Sequence, residues 1–298
     1  MTADNLARRS LVEAALCAVT AEALLTFMDA LIKGLSARYP TLQIAFLRFA
    51  FGTVWATVLI ALFWPGWPSA ETIRTNISRS FLVVITATCF FFALGRLPLA
   101  ETVALSFVSP LLMVLFGGLI LGEKLDRSIF IALGAGLAGM LLIVGWRLGH
   151  TAYEAEALLG VAAICISTIT YALNIIVLRV RAQRDPAMTI VWFQSSCPAV
   201  MLLIPALFVW TPPTAADLAL FTLVGGLAVS GHYLLARAFA RAEAARLAPL
   251  HYTSLVWGIV FGYLLFAEVP TAITIAGATL IATGAWIAQR KPRYPAQT

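Results

Sequence analysis

Apolar residues gather into ten stretches, at 12–34, 41–64, 79–95, 99–121, 129–146, 157–178, 187–209, 218–236, 247–267 and 271–288, with Pro, Gly and charge mostly between them. About 20 largely apolar residues make a helix long enough to cross a bilayer, so each stretch predicts one span. Their Ala, Leu, Ile and Gly content argues against a membrane barrel, whose strands alternate apolar and polar positions over about ten residues. The expectation is an all-α membrane protein of ten transmembrane helices.

Composition sharpens this. Of 298 residues 61% are hydrophobic and 11% charged, against about 25% charged in an average soluble domain. That deficit excludes a soluble enzyme, a disordered chain and a nucleic-acid-binding module. Arg8 and Arg9 before an apolar run, with Ala21-Glu22-Ala23 behind it, imitate a cleaved signal. Glu13 and Glu22 in or beside that run, and its continuation to Leu35, argue for a retained first span. Cys17, Cys89, Cys165 and Cys197 fall in separate stretches without metal-ligand spacing and read as packing residues. No metal or cofactor is expected.

Ten spans put both termini on one side. One set of termini and loops then holds fifteen Lys and Arg, among them Arg74, Arg79, Arg179 and Arg181. The other holds four: Lys33, Arg38, Arg96 and Arg147. By the positive-inside rule both termini are expected in the cytoplasm.

Sliding the chain on itself by 145 residues aligns Ala93–Glu123 with Ala238–Glu268 without a gap, and nine of the 31 positions are identical. They include Arg96 with Arg241, Ser109 with Ser254, Gly117 with Gly262 and Glu123 with Glu268. At a shift of 146, Arg38-Tyr39-Pro40 meets Arg184-Asp185-Pro186. Two five-span halves follow, 10–147 and 155–290. An odd number of spans inverts the second half in the membrane, the design in which secondary transporters bind solute near the midplane.

The chain also resembles the EamA-type drug/metabolite transporters. The likeness rests on Met28-Asp29-Ala30-Leu31-Ile32-Lys33, Phe46-Leu47-Arg48-Phe49, Ser109-Pro110, Leu121-Gly122-Glu123, Ala248-Pro249 and Phe266-Ala267-Glu268, in that order across both halves. The second half has Leu255 where the first has Pro110, so the two need not bend alike. The resemblance implies a multi-pass protein of a bacterial inner membrane that carries a small organic solute without nucleotide hydrolysis. Riboflavin, amino acids and S-adenosylmethionine are among the solutes it suggests.

Polar residues within the apolar stretches are the candidate site. Glu22, Thr26, Asp29 and Lys33 share one helical stripe, and a carboxylate facing lipid is costly. Glu22 is either a bond to a neighbouring helix or a substrate or proton group. Arg48 lies about 10 Å into the second span, at the depth of Asp29, which predicts an ion pair; anion binding is the other role. Ser167, Thr170, Tyr171 and Asn174 repeat the stripe in the sixth span, and Gln194 holds the repeat position of Arg48. His232 and Tyr233, then His251, Tyr252 and Trp257, add titratable and aromatic groups in spans eight and nine. Trp64, Trp67, Trp146, Trp210 and Trp286 read as interfacial anchors, leaving Trp55, Trp192 and Trp257 inside. Pro110, Pro198 and Pro205 are static bends or pivots.

A secondary transporter, with lipid, a small solute and protons as partners and acting as monomer or homodimer, accounts for these features. Interior aromatics and neutral polar groups make riboflavin uptake the first substrate expectation. Amino-acid or metabolite export and S-adenosylmethionine uptake are alternatives. An intramembrane enzyme would need a catalytic set, and HExxH, GxSxG and P-loop patterns are absent.

Overall fold

In a computed structural model, residues 3–63, 66–122, 155–242 and 244–289 are described, with isolated positions between 130 and 145. These residues form helices and turns without strands: α1 Ala3–Ser36, α2 Thr41–Leu62, α3 Ala70–Leu94, α4 Leu99–Ser106, α5 Val108–Leu121, α6 Ala155–Ala182, α7 Ala187–Leu207, α8 Ala215–Arg241, α9 Ala244–Leu247, a 3-10 turn Ala248–Tyr252, α10 Thr253–Phe266 and α11 Ala272–Gln289. The described positions between 130 and 145 are almost all helical. Six helices, α1, α2, α3, α6, α7 and α8, are long and apolar enough to cross a membrane, and α5 and α10 are shorter apolar helices.

Helix starts are set by caps. Ser69 accepts a bond from the Thr72 amide at the head of α3, and Thr214 accepts one from the Asp217 amide at the head of α8. Both reach further out than the apolar stretches foretell. Arg79, expected in a loop, therefore lies nine residues inside α3, and Arg179 and Arg181 lie within α6.

Packing crosses between the halves of the chain: α1 lies along α8, α2 along α7, and α3 along α6. A Cβ on Gly225 would sit 2.7 Å from the backbone of Phe51 and Gly52, so α2 and α8 touch through bare backbone there. Outer faces carry bare apolar side chains such as Val200, Leu119 and Leu264, as contact with lipid requires.

Each end of the bundle is tied by a matching polar cluster. Where α3 begins, Thr72 donates to Asp185 at 2.8 Å, and Arg181 holds the same carboxylate through Nε and Nη2 at 2.7 and 2.8 Å. Where α8 begins, Asp217 accepts from Tyr39 and Thr214, each at 2.7 Å, and pairs with Arg38 at 2.7 Å. The Asp217 carboxylate pushes the Tyr39 hydroxyl above its ordinary range.

The fourth and ninth apolar stretches are both interrupted, at Phe107 between α4 and α5 and over 248–252 before α10. Those places match at a shift of 145. Pro249 near the head of the 3-10 turn serves where Pro110 has no counterpart. In each, the serine after the break bonds back three residues, Ser109 to the Ser106 carbonyl and Ser254 to that of His251.

Gly122 ends α5 at φ 69°, and Ala267 takes the matching place after α10 at φ 53°. A left-handed conformation costs a non-glycine residue about 1–2 kcal/mol. Ala267→Gly should accordingly raise stability by about 1 kcal/mol, whereas Gly225→Ala should lower it by about 1–3 kcal/mol by parting α2 from α8. Thermal unfolding in detergent reads both, and unchanged midpoints would contradict these backbone assignments.

Candidate functional site

Polar residues expected inside the spans converge on one cavity at the centre of the bundle. It has room for the centres of roughly ten water molecules, about 140 Å³, since one enclosed water needs about 10–15 Å³. Glu22, Thr26 and Asp29 reach it from α1, Arg48 from α2, Tyr171 and Asn174 from α6, Gln194 from α7, and His232 from α8. His251 joins them from the 3-10 turn. Tyr233 and Trp257 do not line it. Tyr233 packs beside Ala56, Val191 and Val229 under the Arg237 guanidinium, and Trp257 stacks on Phe261. The Tyr252 side chain lies outside the described residues.

Glu22 and His251 meet, Oε1 to Nδ1, at 2.7 Å. The same imidazole stacks on Tyr171, with ring centres 5.5 Å apart, and Phe107 stands edge-on to it. One contact thus joins the middle of α1 to the broken ninth span and to α6. His232 instead bonds the Ala228 carbonyl through Nδ1 at 2.7 Å.

The expected ion pair of Asp29 with Arg48 does not form. Asp29 has no hydrogen-bond or ion-pair partner among the described residues. Arg48, 5% exposed, stacks over Phe49 at 4.1 Å and leaves Nε without a partner. Equal depth brought the groups to one level, but each turns toward the cavity rather than the other. Lys33 completes the α1 stripe elsewhere, at 3.2 Å from Glu268 and 2.7 Å from the Leu97 carbonyl.

Arg79 went unforeseen. It is 2% exposed, and its Nη1 donates to Asn174 Oδ1 and Gln194 Oε1, both at 3.0 Å. The Ser69 cap and Glu71 in the first turn signal a helix starting at residue 70, which would have buried Arg79 from the sequence alone. Hydroxyls of Thr86, Ser106, Ser109, Ser167, Thr168 and Ser254 complete the polar lining. Thr86 bonds Thr170 and accepts from Ser167, at 2.8 and 2.9 Å, which joins α3 to α6. Trp55, expected inside, is 42% exposed on an outer face and donates to the Thr222 carbonyl. Trp192 bonds Thr57. The anchors Trp64 and Trp146 and the Trp286 side chain lie outside the described residues. All four cysteines are free, and the described residues contain no cluster suited to a metal ion.

Polar groups from both halves of the chain thus gather in a cavity whose remaining wall is apolar, with Leu25, Met28, Phe49, Val83, Phe90 and Val103 among its lining. Residues 13–145 and 158–289 each match the EamA-like transporter family. The chain belongs to that family. Among curated relatives of this EamA-like protein, Pseudopaline exporter CntI of Pseudomonas aeruginosa is 30% identical over 275 residues, 89% of this chain and 92% of the relative. An S-adenosylmethionine uptake transporter of Rickettsia bellii is 25% identical over 255 residues, 85% of each. A solved crystal structure superposes at a TM-score of 0.74 over 93% of this chain and 98% of that one; at 22% identity it speaks for the fold alone.

Because Asp29 and Arg48 hold no bond to each other, Asp29→Asn should change stability by less than about 1 kcal/mol, while Glu22→Ala should cost about 1–3 kcal/mol through the lost His251 bond. A charge-swapped Asp29/Arg48 double mutant should recover nothing. Unfolding midpoints of the purified variants test this ordering; recovery in the swap would restore the ion pair.

Proposed function

We propose that this EamA-like protein is a secondary transporter of ten spans in two inverted five-helix repeats, 10–147 and 155–290. It moves a small zwitterionic metabolite across the bacterial inner membrane by alternating access, with both termini in the cytoplasm. The observation that carries the substrate class is the pair of cavity charges left unbonded to each other, Asp29 and Arg48. An amino-acid-like solute brings an ammonium group for one and a carboxylate for the other, and a desolvated charge demands such a partner. The matched breaks in the fourth and ninth spans support the inverted repeat, because interrupted helices at corresponding places mark transporter binding sites. The two family matches along the chain favour the same division.

Riboflavin ranks below this reading. It would leave both cavity charges without a counter-charge, Trp257 and Tyr233 stand away from the cavity, and neither named relative carries riboflavin in its name. Those names include both export and uptake, so direction stays with the experiment.

Glu22 is proposed as the proton group, since its bond to His251 joins the two halves and a proton gained or lost there alters that bond. Reconstituted protein should accumulate a zwitterionic amino-acid derivative in proteoliposomes under a pH gradient. Glu22→Gln keeps the shape and removes the titration, so concentrative uptake should fall at least tenfold and lose its pH dependence while binding persists. Persistent pH-dependent uptake in the variant would remove the proton role, and absence of flux for every solute offered would remove the transporter reading.

A further inference from the structure

Arg79 poses a physical problem that the transport reading alone does not use. A guanidinium 2% exposed ordinarily has a carboxylate against it. This one has two neutral amide oxygens and a longer bond to the Ile190 carbonyl at 3.4 Å, with Nε unpartnered. It sits nine residues into α3, with Gln194 seven residues into α7 and Asn174 eight before the end of α6. At 1.5 Å per residue all three lie about 11–14 Å from the same end of the bundle.

The bonds fix which way the amides point. Both oxygens converge on one nitrogen, Nη1, so each NH2 group is turned away from Arg79. Asn174 and Gln194 are each 5% exposed and line the cavity, and neither amide nitrogen has a hydrogen-bond partner among the described residues. The floor of the cavity thus presents unbonded N–H donors with a positive charge locked behind them. The repeat makes this pointed: Asn174 stands at the position of Asp29, by a shift of 145, and Gln194 at that of Arg48, by a shift of 146. The first half offers two opposite charges to the cavity, and the second offers two donors backed by a cation.

We propose that Asn174 and Gln194, oriented by Arg79, form a carboxylate-binding subsite on the floor of the cavity. Arg79 is a positioning residue. It never needs to touch the solute, because it sets the amide orientation and strengthens the donors by polarising them. The proposal rests on the zwitterion reading above, in which Arg48 supplies the counter-charge of the carboxylate, and adds two oriented neutral donors for that same group.

The test separates binding from flux. Full-length protein in nanodiscs is titrated with each common L-amino acid and, separately, its carboxamide, by tryptophan fluorescence. At least one amino acid should bind ten times more tightly than its carboxamide. Asn174→Asp and Gln194→Glu each give Arg79 a counter-charge and remove one donor. Both should therefore raise the unfolding midpoint, and both should erase that tenfold preference. A purely structural Arg79 would yield the same stabilisation with the preference intact, which would overturn the proposal. So would a wild-type protein that never favours a carboxylate over its amide, or variants that fail to fold. Carboxylate preference without counterflow in proteoliposomes would sink the transporter reading and leave the subsite standing; counterflow without preference would do the reverse.

Discussion

Hydrocarbon offers no hydrogen bonds, so every polar group carried into it must be answered by the protein or by water inside it. Most of what is distinctive here follows from that demand. Interrupting two apolar helices frees backbone carbonyls, and the serine after each break turns back to one of them. Glu22 finds His251. Thr86, Thr170 and Ser167 satisfy one another across α3 and α6. Asp29, Arg48 and the amide nitrogens of Asn174 and Gln194 have no hydrogen-bond partner among the described residues, and all four side chains line the same cavity.

The halves share their backbone devices more faithfully than their charges. A hydroxyl caps the third and eighth spans at matching positions, Ser69 and Thr214, and a hydroxyl–carboxylate bond ties each cap region to the neighbouring loop. In one tie the carboxylate belongs to the loop, as Asp185, and the hydroxyl to the helix, as Thr72. In the other the loop supplies Tyr39 and the helix Asp217. The bond survives the exchange because only its two ends matter. Inside the cavity the exchange goes further, with Asp29 and Arg48 replaced by amides, and the two walls of a symmetric scaffold become chemically unlike.

The order of the long apolar helices and much of the polar part of the cavity lining were legible in the sequence, because each rests on spacing along the chain. Rotation about the helix axis was not. Lipid is as apolar as a packed interior, so the hydrophobic pattern of a spanning helix does not separate its outer face from its inner one. Trp55 consequently faced outward against expectation. Asp29 and Arg48 matched in depth without touching, since depth is read from the count of residues and direction is not. Arg79 was missed for another reason: an apolar stretch begins where charge stops, whereas a helix begins at its cap. Serine at residue 69 carried that signal.

The first amide of α4 has a consequence for how the chain is made. Leu99 N donates to Glu268 at 3.1 Å, so the end of a helix in the first half is capped by a side chain synthesised 169 residues later. Gly262 leaves room for that carboxylate, with no Cβ to stand 3.1 Å from Oε2. Until residue 268 has been translated, the first amide of α4 lacks this acceptor. An early helix end is therefore finished only by a late residue, and the packing around it waits on more than half of the chain's length.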